Sequence, residues 1–211
     1  MSFEIVALDA TTAPAWQRLF EACGSACFCR YWHFEGKKND WLERCAFRPA
    51  DNRGEQLVLV RAGAPEASGL LAVEDGAALG WMKLAPRASL PKLTRQGAYR
   101  PLDLGPDAGV WSIGCLLVRP DQRSRGLARA LIEAAPDHLH AWTRARFASL
   151  GAARAVEAYP RGELADPSAG SISLPRLHDE EVWVGTQRLF ERCGYMRVAG
   201  EPAYPVMRKA L

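Results

Sequence analysis

The sequence predicts a single α/β domain, and three observations carry that prediction. Strand-forming runs alternate with helical periodicities along the chain, one long apolar run reads as a strand covered on both faces, and the composition is that of an ordinary globular protein. With 48% hydrophobic and 24% charged side chains among 211 residues, the chain can bury a substantial core yet is short for two full domains, so residues 1–211 read as one unit. The formal net charge is +3. Basic residues are spread along the chain rather than gathered in an arm or stripe, and no nucleic-acid partner is expected. No run is apolar for long enough to span a bilayer. The opening MSFEIVALDATTAPAW has an early Glu4 and no Lys or Arg before Arg18, unlike a signal peptide. The expectation is a cytoplasmic chain without membrane contact, in which the 6 cysteines (Cys23, Cys27, Cys29, Cys45, Cys115 and Cys193) are reduced thiols rather than a disulfide framework.

The elements follow in order. Phe3 to Leu8 is rich in strand formers, and a helix opens after Thr11 with Pro14 suited to its first turn. Trp16, Leu19, Phe20 and Cys23 share one face of that helix, and Gly24 stops it. After the segment Cys27-Phe-Cys-Arg-Tyr-Trp-His33 a polar loop leads to a second helix near Trp41. Gly69 to Val73, a Glu74-Asp-Gly76 turn and Ala78 to Leu84 predict a hairpin. Pro86 to Asp107, with four prolines and two glycines, predicts a long loop of the kind that carries function, with disorder as the other reading. Val110 to Val118 predicts a doubly covered strand in which Gly114 marks a bulge or a close backbone approach. A helix over Arg125 to Ala135 follows, which Pro136 is expected to end or kink. A second helical stretch over Asp137 to Ser149 precedes a strand from Ala153 to Tyr159. Pro160 to Asp179 predicts another long loop. Val182, Thr186, Leu189, Phe190 and Cys193 trace a helix closed by Gly194, and Tyr195 to Val198 with Tyr204 to Lys209 form a closing hairpin.

Most of the chemical information lies in VWSIGCLLVRPDQRSRGLARALIEAA, where an apolar strand runs through a turn carrying Arg119, Arg123 and Arg125 into a helix that begins near Gly126. A helix N-terminus offers unpaired N–H groups and the positive end of the dipole, which favours an anion there. Gly126 and Ala128 are small enough to let a pyrophosphate approach the backbone. Neither Gly-x-Gly-x-x-Gly nor a Gly-Lys-Ser/Thr loop is present.

Arg123-x-x-Gly126-x-Ala128 after an apolar strand resembles the acetyl-CoA signature of the GNAT superfamily of N-acetyltransferases. Phe190-Glu-Arg-Cys-Gly-Tyr195 resembles the helix end and strand start that follow in that superfamily. Gly80-Trp81, Pro86-Arg87, Val110-Trp111-Ser112-Ile113, Glu157-Ala158-Tyr159-Pro160 and Val206-Met207-Arg208 are similar to a bacterial branch of it. The resemblance implies an α+β variant of the α/β class, with a central mixed, mostly antiparallel sheet flanked by helices and two strands that splay at the acetyl-CoA site. It implies an acetyl-CoA-dependent N-acetyltransferase in which a primary amine attacks directly in a ternary complex. Backbone groups of Leu116, Leu117 and Val118 would then bind the pantetheine arm and thioester carbonyl. Those of Arg123, Ser124, Arg125, Gly126, Leu127 and Ala128 would hold the pyrophosphate.

The chain departs from that pattern where the family often has its base and acid, which are Ser112 and Phe190 here. Glu157 becomes the candidate base, directly or through water, and Tyr159 the candidate acid or substrate-orienting group, because they project to one face of their strand. The competing reading of Glu157 is a strand residue paired with an arginine. Tyr31 and Trp32 are candidate acceptor-binding residues, with core packing as the alternative. A zinc site on Cys23, Cys27, Cys29, His33 and Cys45 lacks the usual Cys-x-x-Cys knuckle, and buried thiols are expected instead, with no metal required. His138 and His140 are expected on a helix outside the site. An acyl-CoA-binding protein without transferase activity is the alternative function, and a metal-binding interaction module the second. The expected partner is a small-molecule or peptide amine, and the expected assembly a monomer or homodimer.

Overall fold

The computed structural model describes residues 2–93, 95–162 and 183–211. They build a seven-stranded sheet in the order β1-β2-β3-β4-β5-β7-β6, from β1 (Glu4–Ala7), β2 (Gly69–Glu74), β3 (Ala77–Pro86), β4 (Val110–Val118), β5 (Ala155–Ala158), β6 (Met196–Glu201) and β7 (Tyr204–Ala210). Every neighbouring pair is antiparallel except β4 and β5. The class is therefore the expected one, a mixed and mostly antiparallel sheet flanked by helices. Asp75 and Gly76 both have positive φ, 49° and 73°, which is the backbone twist a tight β2–β3 hairpin requires.

Among the described residues five α-helices flank the sheet: α1 (Ala13–Ala22), α2 (Lys38–Phe47), α3 (Pro49–Arg61), α4 (Leu127–Arg144) and α5 (Gln187–Arg192). The amphipathic face read for α1 is real, with Trp16, Leu19 and Phe20 buried. They join Phe28, Leu71 and Trp81 in one core layer. A second layer under α4 gathers Leu70, Met82, Trp111, Leu131, Ile132 and Leu139.

Three helices differ from the sequence reading. Nothing in the apolar periodicity marks α3, because the residues at its inner face include Asn52 and Gln56, both fully buried. Their amides donate to the carbonyls of Ala26 and Ala67, each at 3.0 Å. This helix is docked by hydrogen bonds that hydropathy cannot register. Pro136 ends nothing: α4 runs through it as one helix of 18 residues. A proline inside a helix costs about 3 kcal/mol. Burying Leu139 and Trp142 beyond it, at about 1.5–3 kcal/mol each, offsets that cost. The helix expected from Val182 is confined to Gln187–Arg192, with Thr186 as its N-cap; Val182 itself lies outside the described residues. So does nearly all of the Pro160 to Asp179 loop. The Pro86 to Asp107 segment is no open loop, since Leu90, Leu93 and Tyr99 are buried in a third apolar cluster with Tyr159 and Val206.

Candidate active site

The end of β4 and the start of α4 are joined by a turn with two left-handed residues, Ser124 (φ 63°) and Gly126 (φ 81°). Gly126 is the N-cap of α4, and no described side chain caps the helix or places an acid in its first turn. Its first N–H groups are therefore presented at a concave, anion-favouring end. A Cβ added at Gly126 meets nothing within 4 Å, so the glycine is demanded by its backbone angle and not by crowding. Arg125 turns away to Glu74 at 2.9 Å, and Arg119 pairs with Asp121 at 2.7 Å. Leu127 is buried in the core. Arg123 and Ala128 instead line a cavity of about 280 Å³ together with Leu116, Leu117 and Val118. Five of the nine residues expected at an anionic cofactor thus border one groove.

Gly114 explains how the groove opens. β4 and β5 pair from Val110 with Ala155 to Ile113 with Ala158, after which β5 ends while β4 runs five residues further. The β3–β4 register slips at this point, with Lys83 opposite Cys115 but Leu84 opposite Ile113. Gly114 is the extra residue, and the bulge re-aims the strand away from β5. It also admits a close approach, because Trp32 Nε1 donates to its carbonyl at 2.6 Å. A Cβ there would sit 3.0 Å from the indole. Both readings of this glycine hold. In the wedge between the strands lies Trp183, whose carbonyl accepts the Leu116 N–H at 2.7 Å.

Trp183 borders three cavities. Beyond the groove just described, one of about 490 Å³ is lined by Cys27, Cys29, Tyr31, Trp32, Trp41 and Cys115 among others, and it shares Leu116, Leu117 and Trp183 with the groove. The segment from Cys27 to His33 folds over the sheet to make this wall. Phe28 and Cys29 have φ of 42° and 59°, a costly conformation for side-chain-bearing residues. It is held by Phe28 stacking on Phe20 at 5.4 Å and by the Trp81 indole donating to Cys29 Sγ at 2.9 Å. Burial pushes the Cys27 thiol up to about 11. Behind the wall Lys83 is fully buried, its ammonium donating to the Glu66 carbonyl at 2.7 Å. Desolvation brings it down to about 8. His33 is driven to about 2, first by burial and then by the charges of Lys83 and Arg30. All six cysteines are free thiols. Among the described residues no group of three His, Cys, Asp or Glu side chains is placed to hold a metal ion. His138 packs on Trp142 of α4 and lines none of these cavities.

Glu157 and Tyr159 share a face, as expected, and touch: the phenol donates to Glu157 Oε2 at 2.5 Å and lies 3.3 Å from Ser112 Oγ. Glu157 is fully buried. Arg87 reaches it at 3.1 Å and 3.2 Å, and Arg208 Nε at 2.8 Å. The same arginines hold Asp107 and the Leu104 and Gly105 carbonyls, so the carboxylate anchors the 86–107 segment to the sheet. Burial, and then the neighbouring Glu157 charge, raise the Tyr159 hydroxyl well above the usual phenol range. Tyr159 lines the third cavity, of about 340 Å³, with Trp32, Tyr99 and Trp183. Ser112 and Phe190 are both fully buried.

Sequence reasoning named Tyr31 and Trp32 but missed Trp183, Trp41 and Cys115 as cavity residues, and Arg87 and Arg208 as partners of Glu157. Those arginines are 70 and 51 positions away in the chain, and only sheet register brings them in. A signal existed for Trp183 alone, a large aromatic next to Gly185 just ahead of a helix cap.

Comparison with known proteins adds to this geometry. The model of the acetyltransferase (GNAT) family matches residues 16–161. No curated protein matches the chain in sequence. Among solved structures it is similar to the PaiA N-acetyltransferase of Thermoplasma acidophilum in complex with coenzyme A, with a TM-score of 0.53, 11% identity and all of both chains covered. A putative GNAT acetyltransferase of Desulfovibrio desulfuricans gives 0.50 at 15% identity over 99% of each chain. The aminoglycoside acetyltransferase AAC(6')-Ib in complex with coenzyme A gives 0.50 at 16% identity over 99% of this chain and 95% of that one.

Proposed function

The chain belongs to the acetyltransferase (GNAT) family, and we propose that it is an acetyl-CoA-dependent N-acetyltransferase acting on a primary amine. The observation that carries the proposal is the junction of two cavities along Leu116, Leu117 and Trp183. One has the uncapped α4 N-terminus at its end, as a pyrophosphate requires, and the other is apolar and large enough for an acceptor.

Acetyl-CoA supplies the acetyl group as a thioester whose carbonyl carbon the amine attacks. The N–H groups from Arg123 to Ala128 hold the phosphates, and the β4 edge at Leu116 to Val118 takes the pantetheine arm and donates to the carbonyl oxygen as negative charge grows on it. For the amine, entry into an apolar cavity favours loss of its proton, since burial disfavours the charged form. Glu157 acts through Tyr159: its oxygens are engaged by Arg87, Arg208 and the phenol, which makes it a positioning residue that keeps Tyr159 in the wall of the third cavity, which Trp183 also lines. Tyr159 is then the group that orients the acceptor or protonates the departing thiolate.

The burial of Ser112 and Phe190 and the closed ring of bonds on Glu157 favour a second reading, an acyl-CoA-binding protein without turnover. Titration with acetyl-CoA followed by thermal unfolding, with thiol release measured over a panel of amines, separates the two. Stabilisation together with amine-dependent release supports the enzyme, stabilisation without release supports the binding protein, and no stabilisation overturns both.

A further inference from the structure

We propose that the cavity of about 490 Å³ between α2 and β4 takes a primary amine borne on one aromatic body, of phenyl or indole size, in preference to a polycationic amine. This rests on the reading of the chain as an N-acetyltransferase and names its acceptor class. Four aromatic side chains wall the cavity, Tyr31, Trp32, Trp41 and Trp183. Tyr31 meets Trp32, Trp41 and Trp183 edge-on, with centroids 5.3 Å, 5.5 Å and 5.7 Å apart. Such an array presents ring faces and edges in the offset geometries that another aromatic ring prefers. Leu42 extends the wall toward solvent and is 54% exposed, an apolar side chain without a full set of packing neighbours. The inner end of the cavity is the Leu116 and Leu117 edge shared with the groove, so a ring seated among the aromatics directs its amine to the strand edge.

Charge sets the preference against polycations. The Lys92 ammonium stands 4.3 Å from the Tyr31 ring centroid and 5.6 Å from that of Trp41, and Lys38 lies on the cavity lining. A lysine thus already stands over one side of two wall rings. A second ammonium on the acceptor meets like charge there, whereas a neutral ring meets none.

The test uses the full chain, with phenethylamine and tryptamine as aromatic probes and spermidine and kanamycin as polycationic ones. With saturating acetyl-CoA, kcat/KM from thiol release is expected to be at least tenfold higher for the aromatic pair. Leu42→Arg, at an exposed position that leaves the fold intact, is expected to lower that value at least tenfold while acetyl-CoA affinity stays unchanged. Calorimetric binding of phenethylamine to the chain without acetyl-CoA gives an independent readout, expected to be saturable and weakened in Leu42→Arg. Equal or better turnover of the polycations overturns the proposal and leaves the acetyltransferase reading intact. So does turnover of aromatic amines that is indifferent to Leu42→Arg. Saturable phenethylamine binding without any acetyl-CoA binding supports the cavity's specificity and overturns the acetyltransferase reading instead.

Discussion

Leu116 gives its backbone N–H to the carbonyl of Trp183 at 2.7 Å. On the proposed function that N–H lies on the strand edge that takes the pantetheine arm, so cofactor and Trp183 would compete for one donor, and seating the arm would change the surroundings of the indole. Acetyl-CoA is expected to shift the tryptophan emission of the protein. Most of the shift should vanish in Trp183→Phe, and a full shift in that variant would place the cofactor elsewhere.

Gly126 separates charge from backbone strain. Alanine there must adopt φ of 81°, at about 1–2 kcal/mol. Aspartate tolerates that region better and suits a helix N-terminus. Gly126→Asp is therefore expected to unfold at a higher denaturant concentration than Gly126→Ala, yet to bind acetyl-CoA at least tenfold more weakly than Gly126→Ala does. Calorimetry on the two variants decides it.

Glu157 neutralises Arg87, whose side chain is 2% exposed, and the half-buried Arg208. Glu157→Gln leaves those guanidiniums short of charge and is expected to cost about 3–5 kcal/mol in urea unfolding. Tyr159→Phe removes one hydrogen bond to that carboxylate and should cost about 1.5–3 kcal/mol. If turnover in Glu157→Gln falls no further than in Tyr159→Phe, positioning through the phenol is the role of the carboxylate.

Gly114→Ala puts a Cβ 3.0 Å and 3.1 Å from two atoms of the Trp32 indole. The indole must shift and loosen its bond to the Gly114 carbonyl, at about 1–3 kcal/mol. Because Trp32 walls the cavity proposed for the acceptor, KM for the amine is expected to rise several-fold while acetyl-CoA affinity is retained.

His33 makes stability depend on acid. Folding drives it from its ordinary 6.5 to about 2, so between those values the unfolded chain binds a proton that the folded chain does not. Its contribution is complete above pH 6.5 and is lost progressively as pH falls below that. The urea midpoint should therefore drop between pH 7 and pH 5, and His33→Gln should flatten the drop.

Local patterns in the sequence determined much of the frame. The periodicity of Trp16, Leu19 and Phe20, the apolar run from Val110 to Val118, and Gly126 ahead of a helical stripe each express a constraint carried by neighbours in the chain. Those constraints sufficed for the strand, the turn and the helix N-terminus that mark a GNAT protein. Where elements were misread, the deciding contacts were distant. Asn52 and Gln56 hold α3 through the carbonyls of Ala26 and Ala67, and core burial carries α4 past Pro136. The site followed the same division. The sequence alone named Glu157 and Tyr159, but only tertiary structure decided that two arginines, one on β7 and one just past the end of β3, surround the carboxylate, and that Trp183 lines three cavities. A helix stripe or a glycine turn is encoded within a few residues, whereas the charge and shape of a cavity are summed over strands that meet only in the folded sheet.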